Sequence, residues 1–320
     1  MRRDLITPYV VTFGETMGLI KSDQPGPLAH ATSLSLGIGG SESNVAIGLQ
    51  RLGVVSVWCG RVGDDALGQR VIREIRAEGI DVYATVDATA ATGLMLKERR
   101  TSSLQNVTYY RKGSAGSKIS AADIPASLIS SATLLHITGI TPALSAEAAQ
   151  TMQYAIDTAR GAGVPISLDL NYRRALWSEE DAAVAYRELI PQVNIVFASD
   201  DEAAIAVGAS DGPADLAAKL TAMGPSEAII KLGAEGALAI IDGAEYFQPA
   251  IPVDVLDTVG AGDAFVAGYL TELVTGQTPE VRLRTAAKTG AFACLVPGDW
   301  EGAPRRSELD LLNSKEPVSR

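Results

Sequence analysis

Asp257-Thr258-Val259-Gly260-Ala261-Gly262-Asp263-Ala264-Phe265-Val266-Ala267-Gly268 is the stretch around which the rest of the chain is arranged. Gly260 and Gly262 permit a sharp turn just ahead of an apolar run, Ala264 to Leu273, that reads as a helix. Their backbone N–H groups therefore fall at a helix N-terminus, where unpaired donors and the positive end of the macrodipole attract phosphate or developing negative charge. Asp263 stands in the first turn. An acid there caps a helix and suits the dipole, and it also suits a carboxylate that takes a proton from an attacking hydroxyl. Both readings stay open. Capping needs one acid, however, whereas a Gly-Ala-Gly turn between two acids supplies donors for phosphoryl oxygens together with a base.

At 320 residues, 47% hydrophobic and 20% charged, the chain has the balance of a globular enzyme with a large core. A net charge of −11 argues against a nucleic-acid partner, and Arg99-Arg100 and Arg173-Arg174 are too short to form a basic stripe. Anions must be met by local dipoles, a few placed cations and metal ions. Cys59 and Cys294 have no metal-site or redox spacing, which points to a cytoplasmic, disulfide-free protein. No signal-like segment and no apolar run of about 18 residues occurs, so a membrane role is not expected. His30 and His136 stand alone, which disfavours zinc and a Ser-His-Asp site.

Along the chain, strands are expected at 10–13, 54–59, 133–137, 165–170, 195–198 and 228–231. Helices are expected at 41–52, 65–78, 146–160, 179–189, 201–207, 213–223, 264–275 and 280–295, with a hairpin across 237–248. This alternation implies an α/β fold: a mainly parallel sheet with helices on both faces, binding ligands at the carboxyl ends of its strands. The rhythm breaks at 17–38, read as short strands and loop, and at 91–112, read as an antiparallel hairpin; together they suit a small β lid. No interdomain linker interrupts 1–320, so one domain with a discontinuous lid is expected.

Glu42 and Phe265 stand where GxGxxG needs its third glycine, which weakens a dinucleotide-binding dehydrogenase reading, and GxxxxGK[ST] is missing. Asp257 to Asp263 closely resembles the C-terminal signature of the ribokinase-like, or PfkB, carbohydrate kinases. Gly39-Gly40-x-x-x-Asn44 resembles their N-terminal signature. Asp64-Asp65-x-x-Gly68 and Lys231-Leu-Gly233-x-x-Gly236 follow in family order. The resemblance spans essentially the whole chain and implies a three-layer αβα sandwich with a β lid and ATP-dependent phosphorylation of a sugar hydroxyl. It implies Asp263 as base, the N–H groups of Gly260, Ala261 and Gly262 as anion hole, and Gly39, Gly40 and Asn44 at the sugar. Thr258, Lys231, Gly233 and Gly236 would lie at the nucleotide. The family's usual Asn-x-x-Glu reads Ser199-Asp200-Asp201-Glu202 here, so Glu202 keeps the acid that organises Mg2+ while Ser199 replaces the amide. Asp254 and Val255 fall where relatives often bind a monovalent cation such as K+.

Tyr109-Tyr110-Arg111-Lys112-Gly113-Ser114-Ala115 and Asp169-Leu170-Asn171-Tyr172-Arg173 look most like 2-keto-3-deoxygluconate kinases within that family. An acid sugar needs a cation, and arginine offers a planar fork matched to a carboxylate. Arg111 on the lid and Arg173 at a strand end would converge over the sugar, with Tyr110 adding a hydroxyl or ring face. Fructokinase, ribokinase and 5-dehydro-2-deoxygluconokinase are the alternatives, and a sugar or nucleotide sensor that kept the fold without the chemistry is the rival of another class. Exposed apolar lid edges would suit a homodimer.

Overall fold

Tyr-Val-Val-Thr-Phe is a β-branched and aromatic run, and it forms β1 (Tyr9–Phe13), an interior strand of the main sheet buried along its whole length. The computed structural model describes residues 8–101 and 104–313. Residues 102 and 103 of the expected lid, and both ends of the expected 1–320 unit, lie outside these.

After β1 come β2 (Met17–Ser22), β3 (Leu34–Gly39), α1 (Ser41–Arg51), β4 (Val55–Gly63), α2 (Ala66–Ala77), β5 (Asp81–Asp87), β6 (Leu94–Arg99) and β7 (Gln105–Tyr110). The middle of the chain forms α3 (Ala126–Ser130), β8 (Leu134–Thr138), α4 (Ile140–Leu144), α5 (Ala146–Ala162), β9 (Ile166–Asp169), α6 (Glu179–Leu189), β10 (Ile195–Ser199) and α7 (Asp200–Val207). The last elements are α8 (Pro213–Ala222), β11 (Glu227–Lys231), β12 (Gly236–Ile241), β13 (Ala244–Pro249), α9 (Ala261–Val274) and α10 (Pro279–Ala293).

The main sheet has nine strands in the order β13-β12-β11-β10-β9-β8-β1-β4-β5. It is parallel from β11 to β5, and the β12–β13 hairpin adds an antiparallel edge. One face buries Met152, Tyr186 and Leu216 from α5, α6 and α8. The other buries Leu49, Tyr269 and Leu283 from α1, α9 and α10. Apolar side chains therefore cover both faces of the sheet, which is the expected three-layer αβα sandwich.

The lid is a separate four-stranded sheet, β3-β2-β6-β7, in which β2 and β6 run parallel and the outer pairs antiparallel. Its register pairs Met95 with Tyr109 and Lys97 with Val107, so these four side chains share the inner face.

Three local features differ from expectation. Helix α9 starts at Ala261 rather than Ala264, because the glycine turn itself forms the first turn and Gly260, at φ 76°, is the residue that starts it. Strand β5 has no counterpart in the sequence reading: it is a half-buried edge strand without a continuous apolar run. Strand β4 runs four residues further, to Gly63. Among the described residues no helix is long and apolar enough to cross a membrane.

Candidate active site

The parallel strands deliver Glu15, Thr138, Asp169, Ser199 and Lys231 at or just beyond their carboxyl ends. Helices α1 and α9 present their N-termini above them. Asp263 is the third residue of α9 and makes no capping bond to its own helix. Its carboxylate instead accepts from Ser41 Oγ at 2.6 Å on Oδ1 and from Asn44 Nδ2 at 2.8 Å on Oδ2. Ser41 Oγ in turn accepts from Asn171 Nδ2 at 2.7 Å. Asn171 sits at φ 42°, a left-handed conformation that asparagine tolerates better than most residues. The carboxylate is oriented from outside its helix and lines the cavity, while its place in the first turn of α9 still suits the helix dipole.

Gly260 and Gly262 amides have no acceptor among the described residues, whereas the Ala261 amide donates to Thr258 O at 3.2 Å and closes the turn. The expected anion hole thus has two open donors from its glycines, and Ala261 serves as structure. A side chain on Gly260 would be strained at its positive φ and would collide with the Asp299 carbonyl. Beside Gly262 lies the Lys231 ammonium, 3.7 Å from where a Cβ on that glycine would stand. Lys231 Nζ is held 2.8 Å from both Asp169 oxygens. Burial works against the charged ammonium, but Asp169, Glu202 and Asp263 outweigh it and hold Lys231 above its ordinary pKa.

Ser199 and Glu202 form a reciprocal capping box at the start of α7: Ser199 Oγ accepts from Glu202 N at 3.1 Å, and Glu202 Oε2 accepts from Ser199 N at 2.8 Å. Glu202 Oε1 accepts from Tyr172 N at 2.9 Å. Mg2+ keeps most of its waters and takes one or two carboxylates plus phosphate oxygens. Glu202 and Asp169 line the cavity beside Ser199 and meet that modest demand. With both Glu202 oxygens already accepting backbone N–H groups, Glu202 would hold the ion's water shell. Bound with a nucleotide, Mg2+ supplies charge neutralisation at the phosphates.

Two cavities meet at this loop. The first, about 360 Å³, lies under the lid and is lined by Tyr109, Lys97, Arg173, Asp263 and Asp299. The second, about 600 Å³, is lined by apolar residues such as Ile251, Val253 and Phe265, together with Gly233 and Gly236. Ser199, Lys231, Thr258 and Gly262 belong to both. A polar ligand under the lid and a flat apolar-faced ligand beyond the loop would abut at the glycine amides and the Lys231 ammonium.

Other expected residues fall differently. Tyr110 points to the outer face of the lid and is 61% exposed, and strand alternation brings Tyr109 to the cavity in its place. Arg111 is buried against Glu15 at 2.6 Å and stacks on Tyr109 rather than lining the cavity. Arg173 does line it and has no ion pair among the described residues. Gly39 and Gly40 form the tight wall between the lid and α1, where a side chain would collide with Asp299 and with the Glu15 carbonyl. Asn44 is given to Asp263 rather than to open space. Asp254 and Val255 are exposed, and no group of three or more acidic, histidine or cysteine side chains able to hold a metal occurs among the described residues. The sequence reading assigned no role to Ser41, Lys97 or Asp299. Alternation with Met95 was the available signal for Lys97, and the Pro297-Gly298-Asp299 turn the only one for Asp299.

The model for "pfkB family carbohydrate kinase" matches residues 7–306. A 2-dehydro-3-deoxygluconokinase from Bacillus subtilis is 36% identical, with 93% of each chain covered. A 2-dehydro-3-deoxygalactonokinase from Haloferax volcanii is 33% identical over 92% of this chain and 93% of its own. The crystal structure of a PfkB protein from Polaromonas sp. JS666 superposes with a TM-score of 0.86 at 35% identity, covering 95% of this chain and 99% of the other. A carboxylate held between two helix N-termini, open glycine amides and paired cavities suit phosphoryl transfer to a sugar, and with this similarity the chain belongs to the pfkB family of carbohydrate kinases.

Proposed function

We propose that this kinase transfers the γ-phosphoryl of ATP to the terminal hydroxyl of 2-keto-3-deoxygluconate, acting in the cytoplasm as one catalytic unit across 1–320 whose lid comes from two segments. The observation that carries the substrate class is Arg173. It is a cation lining the sugar-sized cavity with no ion pair among the described residues, while Lys97, Lys231 and Arg111 are each paired with a carboxylate. A sugar carboxylate would complete it. The relatives named for keto-deoxy acid sugars point to the same class.

In this reading Asp263 takes the proton of the sugar hydroxyl as its oxygen bonds to the γ-phosphorus and the bond to the departing ADP breaks. Ser41 and Asn44 fix the carboxylate's rotamer during that step. The Gly260 and Gly262 amides and Lys231 meet the charge on the phosphoryl oxygens. ATP would occupy the second cavity, with Gly233 and Gly236 beneath the nucleoside and Mg2+ near Glu202. A monovalent cation such as K+ beside Asp254 and Val255 belongs to the same reading and rests on the family resemblance alone. The lid's outer face carries Leu34 and Leu36 at 50% and 41% exposure, which favours pairing of two copies through their lids.

A coupled ADP-release screen across acid and neutral sugars tests the proposal. Turnover with the keto-deoxy acid above that with fructose or ribose is expected. Preference for a neutral sugar overturns the substrate, and ligand-dependent thermal stabilisation without ADP identifies a sensor. Light scattering after size exclusion checks the dimer.

A further inference from the structure

A buried ion pair ties the lid to the glycine loop through a residue given no role so far. Lys97 lies on lid strand β6, and its Nζ donates to Asp257 Oδ2 at 2.7 Å with side-chain exposures of only 5% and 2%. Asp299 Oδ1 stands 3.7 Å from the same ammonium. Asp257 opens the glycine loop and shapes it: Oδ1 accepts from Val259 N at 3.0 Å, and Oδ2 also accepts from Gly298 N at 3.2 Å. Asp299 closes on the loop from the other side, its carbonyl packed against Gly260 and its carboxyl against Gly39.

Three carboxylates, Asp257, Asp263 and Asp299, therefore surround a loop whose open amides are to receive an anion. Lys97 is the cation that faces two of them. Burial, followed in the same direction by Glu301, Asp263 and Asp257, pushes the Asp299 carboxyl up to about 6, and Lys97 opposes that rise. An ammonium in this position offsets negative charge that would repel a triphosphate, and it ties the loop's first residue to the lid.

We propose that Lys97 is a positioning residue that aligns the glycine amides for phosphoryl transfer by clamping Asp257 from the lid, so that the loop is set only while the lid covers the sugar. This inference rests on the reading of that loop as the phosphoryl site. Lys97 acts through Asp257; displacing the lid breaks the ion pair and frees the turn that Asp257 organises. A misplacement of about 1 Å at a transfer site costs about 10²-fold in rate.

The test compares Lys97→Met, Lys97→Ala and Asp263→Asn in steady-state kinetics with the sugar found by the screen above. Lys97→Met is expected to lower kcat by about 10²-fold with the sugar KM within about threefold. Ethylammonium added to Lys97→Ala should restore part of the turnover and should restore none to Asp263→Asn. The double variant Lys97→Met/Asp257→Asn, which removes both members of the 2.7 Å pair, keeps the question answerable should either single lysine variant fail to fold; its kcat should stay below wild type, because the clamp is gone. Normal kcat in Lys97→Met or in the double variant overturns the inference. A raised KM with unchanged kcat overturns it too and makes Lys97 a sugar ligand. Asp263→Asn with normal turnover would sink the phosphoryl-site reading itself, whatever the lysine variants do.

Discussion

Asn44 Nδ2 donates to Asp263 Oδ2 at 2.8 Å across 219 residues of sequence, joining the first turn of α1 to the first turn of α9. Together with Ser41 on Oδ1 it fixes the carboxylate in one rotamer. Asp263→Asn keeps the shape and removes the base, so kcat should fall by about 10²- to 10⁴-fold. ATP affinity, read by calorimetry, should stay near wild type. Near-normal turnover in this variant would remove Asp263 from the chemistry.

Arg173 separates acid from neutral sugars. A hydrogen bond to a charged group contributes about 1.5–3 kcal/mol, so Arg173→Ala should lower kcat/KM for the keto-deoxy acid by about 10- to 100-fold. Residual activity on a neutral sugar should barely change. Arg173→Lys keeps the charge but not the planar fork and should recover only part of the loss. An equal loss on both sugar classes would make Arg173 a general structural element.

Arg111 should report on stability more than on specificity. Its guanidinium meets Glu15 at 2.6 Å, with side-chain exposures of 9% and 0%, and Ser114 Oγ donates to the same carboxylate. Gly93 and Gly116 pack so closely on Glu15 that a Cβ on either would displace its side chain. Arg111→Ala would leave that buried carboxylate uncompensated, a loss of about 3–5 kcal/mol by urea denaturation. Arg111→Ala/Glu15→Gln should regain much of it. Unchanged stability in the single variant would show that water reaches Glu15.

Local chemistry was legible in the sequence where it stays local. Gly260 and Gly262 announce a turn at a helix start, and alternating apolar runs announce the parallel sheet. Phase and distance were not. Tyr109 and Tyr110 differ only in which face of β7 they occupy, and that depends on the pairing of Met95 with Tyr109. Ser41 reads as an ordinary first-turn residue, and Asn44 as a sugar contact, until α9 is laid against α1 and both donate to Asp263. Asp299 lies in a turn after α10 that no periodicity marks, and Lys97 gains meaning only from Asp257, 160 residues away. Ser199-x-x-Glu202 carried two readings, a cap and a metal-organising pair, and the capping box satisfies the first without removing the second.

Glu42 makes the molecule's stability depend on pH in an unusual direction for a carboxyl. It is 1% exposed in the first turn of α1. Thr138 Oγ1 and Thr141 Oγ1 both donate to its Oε1, at 2.6 and 3.0 Å, and it has no ion pair among the described residues. Burial, aided by Asp263 and opposed by the threonine hydroxyls, pushes its pKa from 4.5 up to about 7. The folded state therefore holds a proton that the unfolded state releases between those values. Stability from this group is fully present below about pH 4.5 and is lost as pH rises to about 7, amounting to about 3 kcal/mol. Glu42→Gln keeps the shape and cannot titrate. Urea denaturation of both proteins from pH 4.5 to 7.5 should show the wild type losing about 3 kcal/mol relative to the variant, since other titrating groups cancel in the difference. A constant difference across that range would mean that Glu42 is ionised in the folded protein, with water or a cation beside it.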